Sequence, residues 1–538
     1  MRTYCMTMRQ IPGSFNLADL WELIADEVPE REALVCGDQR RTYAQIEERS
    51  NRLASWMRDR GVGPGDFVGL YLRNGAEYIE AMWAAYKLRA VPVNVNYRYV
   101  ADELLQLFTD GGVVGVVHDA GFGARMEEVA RRVPSLAWSL PTGPAYDEAP
   151  ASGSPERKFD ARSGDDLYVL YTGGTTGLPK GVVWRSEDAF FACIGGGDPM
   201  RTAGPVTTTT ELVERIVPGF TFLPVAPLMH AAGCWTAMMW FYAGGRVVLA
   251  PGSFDPRRIW ELVAAEGVNL LSIVGDAMAR PLLDAWDEHG GYDISSLLSI
   301  GSGGAPLTAS IRERMTATFP TVLVTDGFGS SETGIQGANR SGSGNGAGRF
   351  NAPNAVVLDE TTLRPVIPGS GTVGRVARSG HIPLRYHGDA AKTASTFVEV
   401  DGTRYVVSGD MATVEAQGTI SLLGRGSGCI NTGGEKVFPE EVEAVLRSHP
   451  DVYDVLVVGA PDERWGQRVV AVVQPSGGTR PDADGLRWHC RAHLAGYKVP
   501  KDVILVETVV RSPAGKADYR WAAAIATDEG RAEPASPE

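Results

Sequence analysis

Cysteine is scarce and scattered. Cys5, Cys36, Cys193, Cys234, Cys429 and Cys490 form no Cys-x-x-Cys pair, which argues against a zinc ribbon or a disulfide framework. Free thiols fit a reducing compartment, so a cytoplasmic protein is expected. Long apolar runs are missing too. No stretch reaches the roughly 18 uninterrupted apolar residues of a membrane span, and the segment from Met1 to Phe15 lacks the charged-then-apolar layout of a secretion signal. Positive charge is in deficit: 51 Lys and Arg stand against 65 Asp and Glu, a formal net charge of −14. That sign disfavours a surface built on nucleic-acid phosphates, so any anionic ligand must be held by local groups. No internal repeat is evident.

What remains is a globular composition, 44% hydrophobic and 22% charged over 538 residues. The chain is too long for one ordinary core, and a large domain with a smaller companion is expected. Asn16 is a helix cap before Leu17, Leu20, Trp21 and Ile24, which recur at helical spacing. Short apolar runs at 67–72, 91–95 and 113–117 alternate with helix-like stretches such as 77–88, the pattern of α/β layering. The Pro-, Gly- and Ser-rich stretch 141–166 reads as a surface linker into a strand at 167–171. The Gly- and Thr-rich stretch 195–220 reads as a lid or an idle surface excursion. Apolar runs at 247–249, 270–274 and 297–300 resemble buried strands, and 341–348 reads as a mobile loop.

Around Gly424 to Gly428 the pattern changes, and a compact unit follows with a helix at 439–447 and strands at 455–458 and 469–473. The expected fold is therefore α/β: a large multi-layer N-terminal domain over 1–424, a hinge over 425–428 centred on Ser427, and a small mobile α+β domain over 429–538. The acidic, Pro-containing end from 527 is expected to fray.

The strongest chemical signal follows the strand at 167–171. Tyr171 leads into Thr172, Gly173, Gly174, Thr175 and Thr176, and the run closes on Lys180 and Gly181. Glycines let backbone N–H groups approach phosphate oxygens, the threonines add hydroxyls, and the lysine adds charge. A flexible turn is the plain alternative for Gly plus Thr, but it leaves the lysine unexplained. The Gly-Lys-Ser/Thr ending of a Walker loop is absent.

With this loop the chain resembles the adenylate-forming superfamily, which includes acyl-CoA synthetases, firefly luciferase and peptide-synthetase adenylation domains. The likeness covers nearly the whole chain, because further motifs recur in family order. The run Pro227 to Gly233 resembles the gate beside an acyl pocket, implying roles there for His230 and Gly233. Gly301 to Pro306 resembles the loop bordering the acyl carbonyl and adenine, implying Gly303, Gly304 and Ala305. Asp326, Gly327, Phe328, Gly329, Ser330, Ser331 and Glu332 resemble the segment that packs on adenine and holds Mg²⁺, with Glu332 as the metal ligand. Asp410 matches the ribose-binding aspartate, with Arg425 assisting. Lys516, after Gly515, resembles the lysine that reaches the carboxylate and α-phosphate during adenylation. Outside this ordered company, a lone His, an acid in a polar loop or a terminal Lys is ordinarily a packing or surface residue.

The resemblance implies an ATP-dependent ligase that makes an acyl-adenylate and then an acyl-CoA thioester. Lys516, Glu332, His230 and Thr176 are its candidate catalytic residues, ATP, CoA and a carboxylic acid its substrates, and Mg²⁺ its cofactor. Domain rotation would replace Lys516 by Gly433, Gly434 and Glu435 at a thiol tunnel. Phrases at 431–439 and 462–467 resemble actinobacterial ligases of fatty-acid and steroid side-chain type, implying a hydrophobic acid, and the small residues Ala232, Gly233, Gly303 and Gly304 leave space consistent with a bulky polycyclic, steroid- or terpenoid-like one. Two departures stand out: the hinge reads Gly426-Ser427-Gly428, and Arg385 stands where relatives commonly carry Gly. If that Gly has positive φ, Arg385 would distort the backbone and weaken adenylation. Alternatives are an enzyme for the thioester half alone, fed with ready-made adenylate, acyl transfer to a carrier protein, and a non-catalytic nucleotide-binding protein. The sequence leaves a homodimer open.

Overall fold

A computed structural model describes residues 14–174, 177–217, 219–344, 346, 348–432, 435–462, 465–511 and 516–527. The largest sheet has eight strands, in the order Gly334–Arg340, Leu323–Ser330, Ser299–Gly303, Leu270–Ile273, Thr221–Pro224, Arg246–Leu249, Glu32–Cys36 and Gln39–Thr42. Its interior pairings are parallel and both edge strands are antiparallel. A second, four-stranded parallel sheet runs Val91–Asn94, Phe67–Tyr71, Gly115–His118, Trp138–Pro141. Helices cover parallel sheets on both faces, which is why Phe67–Tyr71 is buried at every position instead of alternating.

The helix Leu17–Glu27 begins at Asn16, whose side chain accepts from the Ala18 and Asp19 amides. It docks Trp21 against Trp83, ring centroids 4.8 Å apart. Lys87 lies wholly buried in this layer, held by Glu22 at 2.6 Å and Glu47 at 2.8 Å. Its charge is tolerable there because two carboxylates answer it.

Two antiparallel sheets complete the larger part of the molecule. One is the hairpin Leu167–Gly174 and Gly177–Arg185 with Arg385–Tyr386. The other carries Thr403–Val414 and Ile420–Arg425. Past Arg425 the chain enters a separate sheet of Ile430–Thr432, Glu435–Val437, Val452–Asp462, Gly466–Pro475 and Asp502–Leu505. The helices Pro439–Arg447, Ala483–His493 and Tyr519–Ala526 pack on it. The whole is a mixed α/β fold with a large N-terminal and a small C-terminal part.

Three sequence expectations are corrected. The linker at 141–166 contains the helix Pro144–Ser152, started by proline at its first position and docked through buried Tyr146, Ala149 and Pro150. The stretch 195–220 holds a helix, Thr209–Glu214, and a loop anchored by buried Asp198, so it is no free lid among its described residues. Arg385 sits in an extended strand paired with Val183, its side chain exposed. No left-handed backbone is required there, and the predicted distortion of the adenylation site does not arise. The end from 528 lies outside the described residues, as do 345 and 347 of the expected mobile loop. Among described residues, no helix is long and apolar enough to cross a membrane.

Candidate active site

The C-terminal ends of Leu270–Ile273, Ser299–Gly303 and Leu323–Ser330 open into one cavity of about 1890 Å³. Crevices beyond the carboxyl ends of parallel strands are the usual ligand position in α/β sheets. The volume exceeds the roughly 300–1,000 Å³ of a single small-molecule pocket, so it can take more than one reactant. Residues of the small C-terminal part, among them Glu440, Arg447, Arg511 and Lys516, form its opposite wall.

At one side of the cavity lies the hairpin. Its first strand continues past Tyr171 to Gly174 and its second begins at Gly177, so much of the expected loop is strand. Thr172 faces Lys180 across the ladder, both lining the cavity. Lys180 forms an ion pair with Asp389. Thr175 and Thr176 lie outside the described residues, and of Gly173 and Gly174 only the backbone is described. Asn94 braces the hairpin: its amide donates to the carbonyls of Tyr171 and Met229, each at 2.8 Å. It thereby fixes the hairpin to the segment that delivers His230.

His230 caps the almost wholly buried helix Ala231–Tyr242. Its Nε2 is buried without a hydrogen-bond partner among the described residues. Burial, with the cations of Lys516 and Arg98 nearby, pushes its pKa down to about 4, so the imidazole is neutral at physiological pH. Ala232, Gly303, Gly304 and Ala305 line the cavity beside it. Gly233 does not. A Cβ at Gly233 would come within 2.5 Å of the Ala226 and Pro227 carbonyl oxygens, so this glycine serves the close approach of helix to chain and opens no acyl space.

The strand Leu323–Ser330 carries Asp326, Gly327, Phe328, Gly329 and Ser330 along the cavity, followed by Ser331 and Glu332. The Trp184 indole donates to the Ser331 carbonyl at 3.1 Å, tying this turn to the hairpin. Burial pushes Asp326 up to about 8, against the pull of Arg312, so at neutral pH its carboxyl largely keeps its proton and can donate. Phe328 packs on Phe350, centroids 4.8 Å apart, as a flat apolar wall. Glu332 accepts from the Tyr386 hydroxyl at 3.0 Å through Oε1. Asp410 accepts from Arg425 Nε at 3.3 Å, and its own amide donates to the Ser408 hydroxyl.

Lys516 lines the cavity close enough to depress the proton affinity of His230 and to feel Arg425 and Glu332. Its side chain is exposed and lines the cavity. Burial, then Arg425, lowers its pKa while Glu332 opposes them. Its neighbour Ala517 pairs with Arg511. Arg511 is clamped to Asp454 at 2.6 and 2.8 Å, and Asp454 also accepts from buried Arg447 at 3.2 Å.

The expected thiol-tunnel group is elsewhere. Glu435 is exposed and off the cavity wall, and Gly433 and Gly434 lie outside the described residues. Ser427 falls in the short turn Gly426–Gly428, its side chain not described. This arrangement therefore has the lysine facing the cavity and Glu435 away from it. Tyr386, Asp389, Asn94 and Glu440 were not anticipated as site residues. Their partners lie 54, 209, 77 and 15 residues away, and no local pattern signals such pairs.

Chemically, such a cavity offers the Thr172–Lys180 hairpin, the Asp410 carboxylate with Arg425, an aromatic wall at Phe328, the acid Glu332 and the cation of Lys516. The AMP-binding enzyme family matches residues 21–383, and the AMP-binding enzyme C-terminal domain matches 441–516. A 3-oxocholest-4-en-26-oate–CoA ligase of Rhodococcus rhodochrous is 44% identical, over 95% of this chain and 95% of that protein. A medium/long-chain-fatty-acid–CoA/3-oxocholest-4-en-26-oate–CoA ligase of Mycolicibacterium smegmatis is 45% identical, over 95% and 96%. The ATP-bound crystal structure of MatB from Rhodopseudomonas palustris superposes with a TM-score of 0.82 at 24% identity, covering 96% of this chain and 99% of that one.

Proposed function

The chain belongs to the AMP-binding enzyme family and is an AMP-forming acid–CoA ligase, and we propose that its acid is bulky and hydrophobic, of steroid side-chain or medium- to long-chain fatty type. The observation that supports this reading is the cavity of about 1890 Å³, whose lining joins the Thr172 hairpin, Asp410, Glu332 and Lys516 to the apolar side chains of Phe222, Trp235, Met239, Trp240 and Leu270.

In the first half-reaction a carboxylate oxygen attacks the α-phosphorus of ATP and pyrophosphate leaves. We assign Lys516, Lys180 and the hydroxyls of Thr172, Thr175 and Thr176 to the charge that builds on the phosphate oxygens. Asp410 and Arg425 take the ribose, and Phe328, with Gly303 to Ala305, takes the adenine. Glu332, one oxygen already fixed by Tyr386, fits Mg²⁺, which prefers one or two carboxylates alongside phosphate oxygens and water. When bound, the ion neutralises triphosphate charge. Neutral His230 gates the carboxylate without adding a competing cation. In the second half-reaction the CoA thiol attacks the acyl carbon and AMP departs, with the small part turned about Ser427 so that Gly433, Gly434 and Glu435 border the thiol.

The unbridged described cysteines support the reducing cytosol as its compartment. A panel of steroid side-chain, fatty and aromatic acids with ATP, Mg²⁺ and CoA, read by mass for adenylate and thioester, tests the substrate class. Thioester from the bulky or long acids is expected. Turnover restricted to small aromatic acids would overturn it, and transfer only to a holo carrier protein would replace CoA as the acceptor.

A further inference from the structure

Away from the reacting groups, one helix of the large part meets the small part directly. Gly275–His289 buries Met278, Ala279, Leu282 and Leu283 in the core of the large part. Asp276, Arg280 and Asp284 recur every four residues and so share another face of the helix. All three address the small part. The charge of Asp276 reaches buried Arg447, and that of Asp284 reaches Tyr453. Between them the Arg280 guanidinium stands 4.9 Å from the centroid of the Tyr453 ring, a cation–π contact from one part to the other. Arg280 Nη2 is buried with no hydrogen-bond partner among the described residues, so on that side the ring face is what meets the cation.

Tyr453 is presented by an irregularity in its strand. Within Val452–Asp462, Val452 pairs with Pro475 and Asp454 with the adjacent Gln474, which leaves Tyr453 as an extra residue outside the ladder. A bulge of this kind bends the strand and re-aims a side chain. The next residue, Asp454, holds Arg511 at 2.6 and 2.8 Å and Arg447 at 3.2 Å. Arg511 in turn pairs with Ala517, the neighbour of Lys516. A short series of contacts within the small part therefore runs from the docked ring to the lysine that lines the cavity.

We propose that Arg280 and Tyr453 form a latch between the two parts and are positioning residues for adenylation. Closed, the latch holds Lys516 at the reacting groups; it must open before the small part turns for thioester formation. This rests on the ligase reading above, with its two arrangements of the small part. Loosening the latch depopulates the lysine-facing arrangement and favours the other, so adenylation slows while the thioester step does not. Damage to folding would lower both.

The test measures the half-reactions separately, with the acid turned over best in the panel above: pyrophosphate release from acid, ATP and Mg²⁺, and thioester from the synthetic acyl-adenylate and CoA. Arg280→Ala and Tyr453→Ala are each expected to slow the first by about threefold to tenfold, as befits loss of a partly desolvated cation–π contact, and to leave the second unchanged or faster. The double variant should lose no more than either single one, because each removes the same contact. Tyr453→Phe, which keeps the ring, should release pyrophosphate within about twofold of wild type. Equal losses in the two half-reactions, multiplied losses in the double variant, or wild-type pyrophosphate release from both alanine variants would overturn the latch. If no acid of the panel gave wild-type enzyme either product, the ligase reading would fall instead.

Discussion

Lys516, Glu332, Arg425 and His230 come from four separate stretches of chain, yet each alters the protonation of another or is altered by it. Such mutual influence requires proximity, and the proposed mechanism assigns Lys516 to the charge that builds on the α-phosphate. Lys516→Ala is expected to slow pyrophosphate release by about 10²- to 10³-fold while thioester formation from synthetic acyl-adenylate stays within about threefold, because only the first step develops that charge. Stopped-flow pyrophosphate detection beside a CoA-thiol assay checks this, and an equal loss in both steps would contradict it. At this scale the sequence was informative wherever a motif is contiguous. Asp326 to Glu332, contiguous in the motif, lie together along the cavity because one strand and its turn carry them all. Tyr386 under Glu332 and Asp389 under Lys180 were hidden, since their partners arrive only through sheet pairing. Gly233 was misread for a different reason: a glycine in a sequence does not say which neighbour fills the missing side chain's place.

The helix Ala231–Tyr242 and the start of the helix Pro439–Arg447 set the geometry around those residues. Gly233→Ala would press a methyl against two backbone carbonyls and displace the helix that aims His230. A destabilisation of about 1–3 kcal/mol is expected, read as a lowered thermal-denaturation midpoint, and an unchanged midpoint would contradict the packing described. At the second helix, Glu440 accepts weakly from the Arg425 amide at 3.4 Å, and its other oxygen is buried without a partner among the described residues. Burial, then Glu443 and, more weakly, Asp410, push it up to about 7 from its ordinary 4.5. Because the raised value belongs to the lysine-facing arrangement, its stabilising contribution is full below the ordinary value and is lost as pH rises through about 7. Pyrophosphate release should therefore fall between about pH 6 and 8 more than the thioester step does, and Glu440→Gln should flatten the difference. Parallel profiles for the two steps in wild type would sink this. Elements buried on both faces, such as Phe67–Tyr71, were legible as unbroken apolar runs. The helix Pro144–Ser152 was not, because its polar, proline-bearing composition resembles a linker and only docking of Tyr146 makes it a helix.

Across the whole molecule, the alternating apolar runs of the first half and the change of pattern near Gly424 already indicated a layered α/β body followed by a smaller α+β unit. What no local signal could convey is that the smaller unit lies over the strand ends with Lys516 facing in and Glu435 facing out. That placement depends on contacts between residues far apart in the chain. The account turns on one cavity that first joins acid to AMP and then yields the acyl group to CoA. A single-turnover experiment with acid and α-labelled ATP, quenched before and after CoA is added, tests it most directly. Enzyme-bound acyl-adenylate and free pyrophosphate are expected before CoA, and acyl-CoA with AMP after it. Formation of ADP and phosphate, or of acyl-CoA with no adenylate preceding it, would contradict the account.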